Sequence, residues 1–221
     1  MRIVLLGAPG AGKGTQAKRL AQRFDMAHLS SGDILRAEKA SGTEMGDKVA
    51  EYMDAGRLVP DDLVVDVMAA AIRDSRADGG LLLDGFPRTV AQAEALDAQL
   101  RRLNVPLDVV VVVEVDEGVV VERICGRRSC PECGEIYHEK YLRPKSEGVC
   151  DKCGYRGEFA QRDDDREDVV RRRLEAYRKL TTPLLAYYRE SVPDKIISVD
   201  GGKGPDEVTD DLVARLEPCR S

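Results

Sequence analysis

The sequence predicts a three-layer α/β fold on a parallel five-stranded sheet, interrupted by two inserts. Three observations carry that reading. Four almost continuously apolar runs, Arg2–Leu6, Leu81–Asp84, Asp108–Val115 and Lys195–Val199, and a shorter one at Met26–Leu29, lack the alternation of a half-exposed strand, as expected when both faces of a parallel sheet are covered. Stretches with apolar residues near the 3.6-residue period lie between them. A glycine-rich loop follows the first run directly.

The helical periods fall at Thr15–Phe24, Asp61–Asp74, Val90–Leu103, Glu117–Cys125, Asp168–Tyr188 and Glu207–Leu216, several of them preceded by Asp or Pro as starters. Strand alternating with helix gives parallel pairing through helical crossovers. Two segments break the rhythm. Residues 30–59 read as two short helices with turn signals at Ser41-Gly42 and Gly56, and residues 127–160 are rich in Gly, Cys, Tyr and charge without a long apolar run. The expected organisation is a core of 1–29, 60–126 and 161–221, a helical insert at 30–59 and a lid at 127–160.

A chain of 221 residues can bury a sizeable core as one large domain with inserts. The formal charge of −6, from 40 acidic and 34 basic residues, argues against a dominant basic face for nucleic acid. The apolar run around Val109 to Val113 is closed by Glu114, far short of the ~20 residues a membrane helix needs. Met1-Arg2 leads at once into Ile3-Val4-Leu5-Leu6, so the N-terminus reads as a core strand rather than a cleavable signal. The expectation is a cytoplasmic protein, a monomer without nucleic-acid or membrane partners, with reduced thiols.

The loop Gly7-Ala8-Pro9-Gly10-Ala11-Gly12-Lys13-Gly14-Thr15 matches Gly-x4-Gly-Lys, with Gly14-Thr15 where the usual motif has a hydroxyl directly. Glycines let backbone N–H groups curl around phosphate oxygens, and the next helix offers its positive end. Residues Gly10, Ala11, Gly12, Lys13, Gly14 and Thr15 are thus the expected triphosphate cradle, with Lys13 on the β- and γ-phosphates. The fold is then a three-layer P-loop fold. Asp84 ends an apolar strand, where an α/β sheet places its site, and is a candidate to hold Mg²⁺ through water. Asp33 is a second candidate, with a helix-cap role as the competing reading.

Cys130-x2-Cys133 and Cys150-x2-Cys153 are separated by 16 residues, with Gly134 and Gly154 after the second cysteine of each pair. That is a zinc-ribbon spacing, and four thiolates with no open position imply a structural Zn²⁺. Two disulfides, a redox dithiol or iron are the competing readings. Cys125 and Cys219 stand apart as ordinary thiols, and neither His28 nor His138 has a partner in this reading.

The loop, together with Leu83-Asp84-Gly85-Phe86-Pro87-Arg88-Thr89, resembles the nucleoside monophosphate kinases, the adenylate kinase family in particular. Matching segments run through nearly the whole chain: Ser30-Ser31-Gly32-Asp33-Ile34-Leu35-Arg36, Gly56-Arg57-Leu58-Val59, Gly126-Arg127-Arg128, Arg162 to Arg173 and Val199-Asp200-Gly201. The resemblance implies reversible phosphoryl transfer, ATP and AMP giving two ADP, with Mg²⁺ accompanying ATP. It makes 30–59 the monophosphate-binding insert and 127–160 the lid. It puts Arg36 and Arg88 on the AMP phosphate, Gln92 on the adenine edge, and Ser31, Arg57, Leu58, Val59, Gly85, Phe86 and Pro87 around the AMP. Arg127, Arg162 and Arg173 would surround the transferring group with Lys13, Arg162 and Arg173 also touching AMP. Arg123, Ile136, Tyr137 and Lys203 would meet ATP. The family often has Thr where Ser31 stands, and the hydroxyl is kept. The run Asp163-Asp164-Asp165 reads as a solvated charge run, with a hinge or lid latch as the competing reading, and Arg171 and Arg172 as a solvated helix face. Two other functions fit the same residues: a UMP- or CMP-type kinase, and a nucleotide-gated module whose zinc ribbon grips a partner.

Overall fold

A computed structural model describes residues 1–75 and 80–219; residues 76–79 and 220–221, which the core ranges 60–126 and 161–221 include, lie outside the described residues. Strand β1 (Arg2–Gly7) leads through the glycine loop into α1 (Lys13–Phe24), then β2 (Ala27–Ser30), α2 (Ser31–Ala40) and α3 (Glu44–Asp54). Helix α4 (Asp61–Asp74), β3 (Leu81–Asp84), α5 (Val90–Arg102), β4 (Val109–Glu114) and α6 (Glu117–Cys125) continue the alternation. A two-stranded antiparallel ribbon follows, β5 (Arg127–Ser129) against β6 (Ile136–His138). Helices α7 (Glu167–Ala176) and α8 (Pro183–Ser191), strand β7 (Ile196–Asp200) and helix α9 (Pro205–Leu216) complete the chain.

The main sheet is parallel, in the order β2-β3-β1-β4-β7. Its strands feed two cores. Val4, Leu6, Val110 and Val112 face α4, α5 and α8 through Met68, Leu96 and Tyr188, whereas Ile3, Leu5, Val109 and Val111 face α1 and α9 through Leu20 and Leu212. Burial on both faces explains why the runs are unbroken in sequence. The chain moves from β1 outward to β2, returns to β3 and crosses β1 to β4. This reversal opens a crevice at the carboxyl ends of β1 and β3. Gly7 and Asp84 end those strands there.

Several element ends differ from the sequence expectation by a residue or two, and three departures follow. The first helix starts at Lys13, two residues before Thr15, because Gly12 takes a left-handed φ of 93° and caps it. The expected continuous helix Asp168–Tyr188 is interrupted by a π turn, Tyr177–Thr181, in which Thr182 N–H reaches Tyr177 C=O at 2.9 Å. Pro183 lacks an N–H and so cannot extend the ordinary ladder across the break. The fourth strand stops at Glu114, with Val115 outside it. Among the described residues no helix is long and apolar enough to cross a membrane.

Leu5 is fully buried on the central strand. Leu5→Ala leaves a cavity between sheet and helices, and urea unfolding is expected to show a loss of about 2–5 kcal/mol, whereas a loss under about 1 would contradict this packing.

Candidate active site

The glycine loop wraps back on itself. Gly10 and Gly12 both have positive φ, 77° and 93°, and a Cβ on Gly10 would lie 2.5 Å from Ile124 Cγ1. Glycine is therefore required at Gly10 by both space and backbone angle. Lys13 reaches over the loop to donate to Gly7 C=O at 2.7 Å and Ala8 C=O at 2.8 Å. Burial, together with the charges of Arg88, Arg173 and Arg127, pushes its pKa down to about 8 against the pull of Asp84.

Two cavities meet beside this lysine. One is lined by Ser31, Arg36, Arg57, Leu58, Val59 and Gln92; the other by the loop, Arg123, Arg127, Ile136, Tyr137 and Lys203. Lys13, Arg36, Arg88 and Arg173 line both. Gly85 also borders both and Pro87 the first, while Asp33, Asp84 and Arg162 line the second alone. Phe86 is the exception: it is buried in the core among the α4 and α5 side chains.

Five arginines of the site are tethered. Arg36 binds Asp33 Oδ1 at 2.5 Å, and Arg173 binds Asp164 Oδ2 at 2.8 Å. Arg127 grips Asp165 with two nitrogens, Nε at 2.8 Å from Oδ2 and Nη2 on Oδ1. Arg162 Nε donates to Ser129 Oγ at 3.1 Å, and Arg88 Nε to Gly85 C=O at 2.7 Å. Burial, then neighbouring arginines, pushes both Arg88 and Arg162 down to about 10. Asp33 is held below the usual carboxylate range: burial opposes the charge, but the Arg36 guanidinium outweighs it.

The model of the family described as adenylate kinase matches residues 5–192. A protein of that name from Archaeoglobus fulgidus is 47% identical over 221 residues, covering 100% of both chains. Another, from Alkaliphilus oremlandii, is 48% identical over 216 residues and 98% of each; one from Caldicellulosiruptor bescii is 51% identical over 189 residues, 86% of this chain and 87% of its own. The chain belongs to the adenylate kinase family.

The four cysteines converge. Their sulfurs all lie within 4.8 Å of one another, with Cys130–Cys153 and Cys133–Cys150 both at 3.6 Å. A disulfide needs about 2.05 Å, whereas four thiolates ~2.3 Å from one metal ion stand about 3.8 Å apart. The donor set therefore fits a tetrahedral ion. Gly134 and Gly154, with φ of 67° and 76°, close the two knuckles by donating to Cys130 C=O and Cys150 C=O, each at 2.9 Å. Burial works against a thiolate at Cys150, but the Tyr137 hydroxyl and the amides of Cys153 and Lys152 bring it below the usual thiol range.

Several residues play parts that the sequence did not disclose. Asp165 is fully buried and Asp164 nearly so, and they hold Arg127 and Arg173, so most of the acidic run is structural rather than solvated. Arg172 reaches Ala55 C=O at 3.0 Å, tying α7 to the end of α3. Thr181, delivered by the π turn, donates to Arg88 C=O at 2.8 Å. Tyr137 lines the second cavity but turns its hydroxyl away, donating to Cys150 Sγ and accepting from Asp151 N–H at 2.8 Å, while its ring stacks on Phe159. Both histidines have neighbours: His28 Nε2 lies 3.6 Å from Asp84 Oδ2, and His138 stacks on Tyr141, an exposed ring that lines the second cavity. An aromatic in a charged, glycine-rich segment was the available signal for Tyr141.

A phosphate chain in the loop favours the charged form of Lys13, so binding weakens as pH rises through about 8 and the free amine must first be reprotonated. Below that value this group adds no pH dependence. Calorimetric titration of ATP across the range is expected to show this fall in the wild type and not in Lys13→Met; an equal fall in both would assign it elsewhere.

Proposed function

We infer that the chain catalyses reversible phosphoryl transfer, ATP + AMP to two ADP, with the loop-side cavity holding ATP and the other holding AMP. The observation that carries this reading is the sharing of Lys13, Arg36, Arg88 and Arg173 by both cavities. A site for one nucleotide needs cations at one end of one cavity. Cations at a junction suit two phosphate chains placed end to end.

Transfer of this kind asks for alignment and charge neutralisation rather than a covalent relay. Arg36 and Arg88 would clamp the AMP phosphate, whose oxygen is already anionic and needs no general base. Lys13, Arg127, Arg162 and Arg173 would follow the phosphoryl group as its charge shifts between oxygens. Gln92 would read the adenine of AMP, Arg123 and Lys203 would meet the ATP base, and Ile136 and the Tyr137 ring would close over it from the lid. Asp84 and Asp33, oxygen donors suited to a hard cation, would hold through water the Mg²⁺ that neutralises the ATP phosphates.

The segments 1–29, 60–126 and 161–221 act in this reading as the core, 30–59 as the AMP-side insert and 127–160 as the lid. Lys18 on α1 reaches Glu135, beside the first cysteine knuckle, at 3.4 Å, a contact that supports a lid seated on the core. Closure expels water, which strengthens every interaction at the junction and prevents hydrolysis. The four cysteines would hold Zn²⁺, which at a closed thiolate site supplies folding energy to a segment with little apolar core.

The direct test is stoichiometry with purified protein. Two ADP are expected per ATP and AMP consumed, with AMP preferred over UMP and CMP, and turnover lost in folded Lys13→Met and Arg88→Ala. ATP hydrolysis independent of AMP would instead indicate a nucleotide-gated switch, and a pyrimidine preference another monophosphate kinase. Chelation of the metal is expected to lower the melting temperature more than the initial rate. Immediate loss of turnover in a protein that is still folded would refute the structural role.

A further inference from the structure

Gln92 is almost wholly buried at the edge of the AMP-side cavity, and both ends of its carboxamide are already engaged. Its Nε2 donates to Asp61 Oδ1 at 2.7 Å, and its Oε1 accepts from Arg88 N–H at 2.7 Å. A carboxylate can only accept and a peptide N–H can only donate. These two partners therefore fix which way round the amide sits. Reversing it would set Oε1 against Asp61 Oδ1 and the NH₂ against Arg88 N–H, two repulsive contacts in place of two bonds.

Asp61 is itself held. Its second oxygen, Oδ2, accepts from the Thr89 hydroxyl at 2.9 Å, and Thr89 Oγ1 accepts from Gln92 N–H at 3.2 Å. Asp61 also opens α4, where a helix N-terminus favours negative charge. It lines neither cavity, so a nucleotide meets it only through Gln92.

Engaged in this way, Gln92 keeps one amide hydrogen and one oxygen lone pair for a base. A 6-aminopurine offers a donor at its amino group and an acceptor at N1. A 6-oxopurine offers the reverse at the same two positions. An amide free to turn over matches either pattern, whereas an amide held one way round matches one of them. We propose that Asp61 is a specificity-determining positioning residue: by locking the Gln92 carboxamide it makes the acceptor cavity take 6-aminopurine monophosphates and reject 6-oxopurine monophosphates. This rests on the reading that Gln92 faces the base of the acceptor nucleotide.

The experiment compares kcat/KM for AMP and IMP in the intact protein. Asp61→Asn presents either a donor or an acceptor to Gln92 without loss of volume, so a reversed amide meets one repulsive contact, Arg88 N–H, where the wild type sets two against it, and the AMP-to-IMP ratio is expected to fall by up to about tenfold, the discrimination one well-placed pair of hydrogen bonds provides. Asp61→Ser, whose hydroxyl also donates or accepts, must move the ratio the same way. Thr89→Val removes the cap and the outer contact but keeps the bond from Asp61 to Gln92, so it lowers the melting temperature and leaves the ratio in place. If both Asp61 variants lose stability as Thr89→Val does and the ratio stays at the wild-type value, Asp61 merely ties α4 to α5 and the proposal is overturned. Gln92→Leu separates the underlying reading: an unchanged KM for AMP there means that Gln92 does not face the base, and the inference falls with it.

Discussion

Among the positive side chains that line the two cavities, Lys13, Arg36, Arg88, Arg127, Arg162 and Arg173 lie close enough to act on one another. Their mutual repulsion in a partly dry space opposes folding unless it is offset. Asp33, Asp84, Asp164 and Asp165 offset part of it, and Lys13 and Arg88 are lowered by burial first and then by the repulsion that is left. That remaining positive potential is what phosphate groups of two nucleotides can neutralise. The same tethers hold Arg36, Arg127 and Arg173 in fixed positions, the preorganisation that electrostatic stabilisation of phosphoryl transfer calls for.

The rest of the fold supplies positions for these charges. A sheet covered on both faces brings Gly7 and Asp84 to neighbouring strand ends, and a reversal in strand order leaves a crevice between them. The π turn then aims Thr181 at the Arg88 carbonyl from a helix that is distant in sequence. At the other side of the cleft the cysteine cluster takes the place of an apolar core, and Tyr137 joins that cluster to β6 through its hydroxyl and to the second cavity through the strand it sits on.

What the sequence disclosed and what it hid divide along physical range. Strand runs, the glycine loop and the paired CxxC spacing are local patterns, each with one geometry that satisfies it, so the core sheet and the thiol cluster could be read directly. The family resemblance extended that reading to arginines spread from Arg36 to Arg173. Roles fixed by distant partners were hidden. Nothing in Asp163-Asp164-Asp165 tells that two of its carboxylates are buried against Arg127 and Arg173, because the pairing depends on how the fold brings the run against β5 and α7. Helical period alone likewise could not reveal the π turn, since Tyr177–Thr181 keeps nearly the same apolar spacing, and only Pro183 hinted at a break. Asp61 looked like a helix starter, which it is, and its hold on Gln92 appears only once α4 and α5 lie side by side.

The central claim is that one ring of cations aligns two nucleotides so that a phosphoryl group passes directly between them. Transfer of a γ-phosphoryl group made chiral with oxygen isotopes reads that alignment at the phosphorus atom itself. A single in-line displacement predicts inversion of configuration in the ADP formed from AMP. Retention would require two successive displacements through a phosphorylated side chain, and would contradict this account of the site.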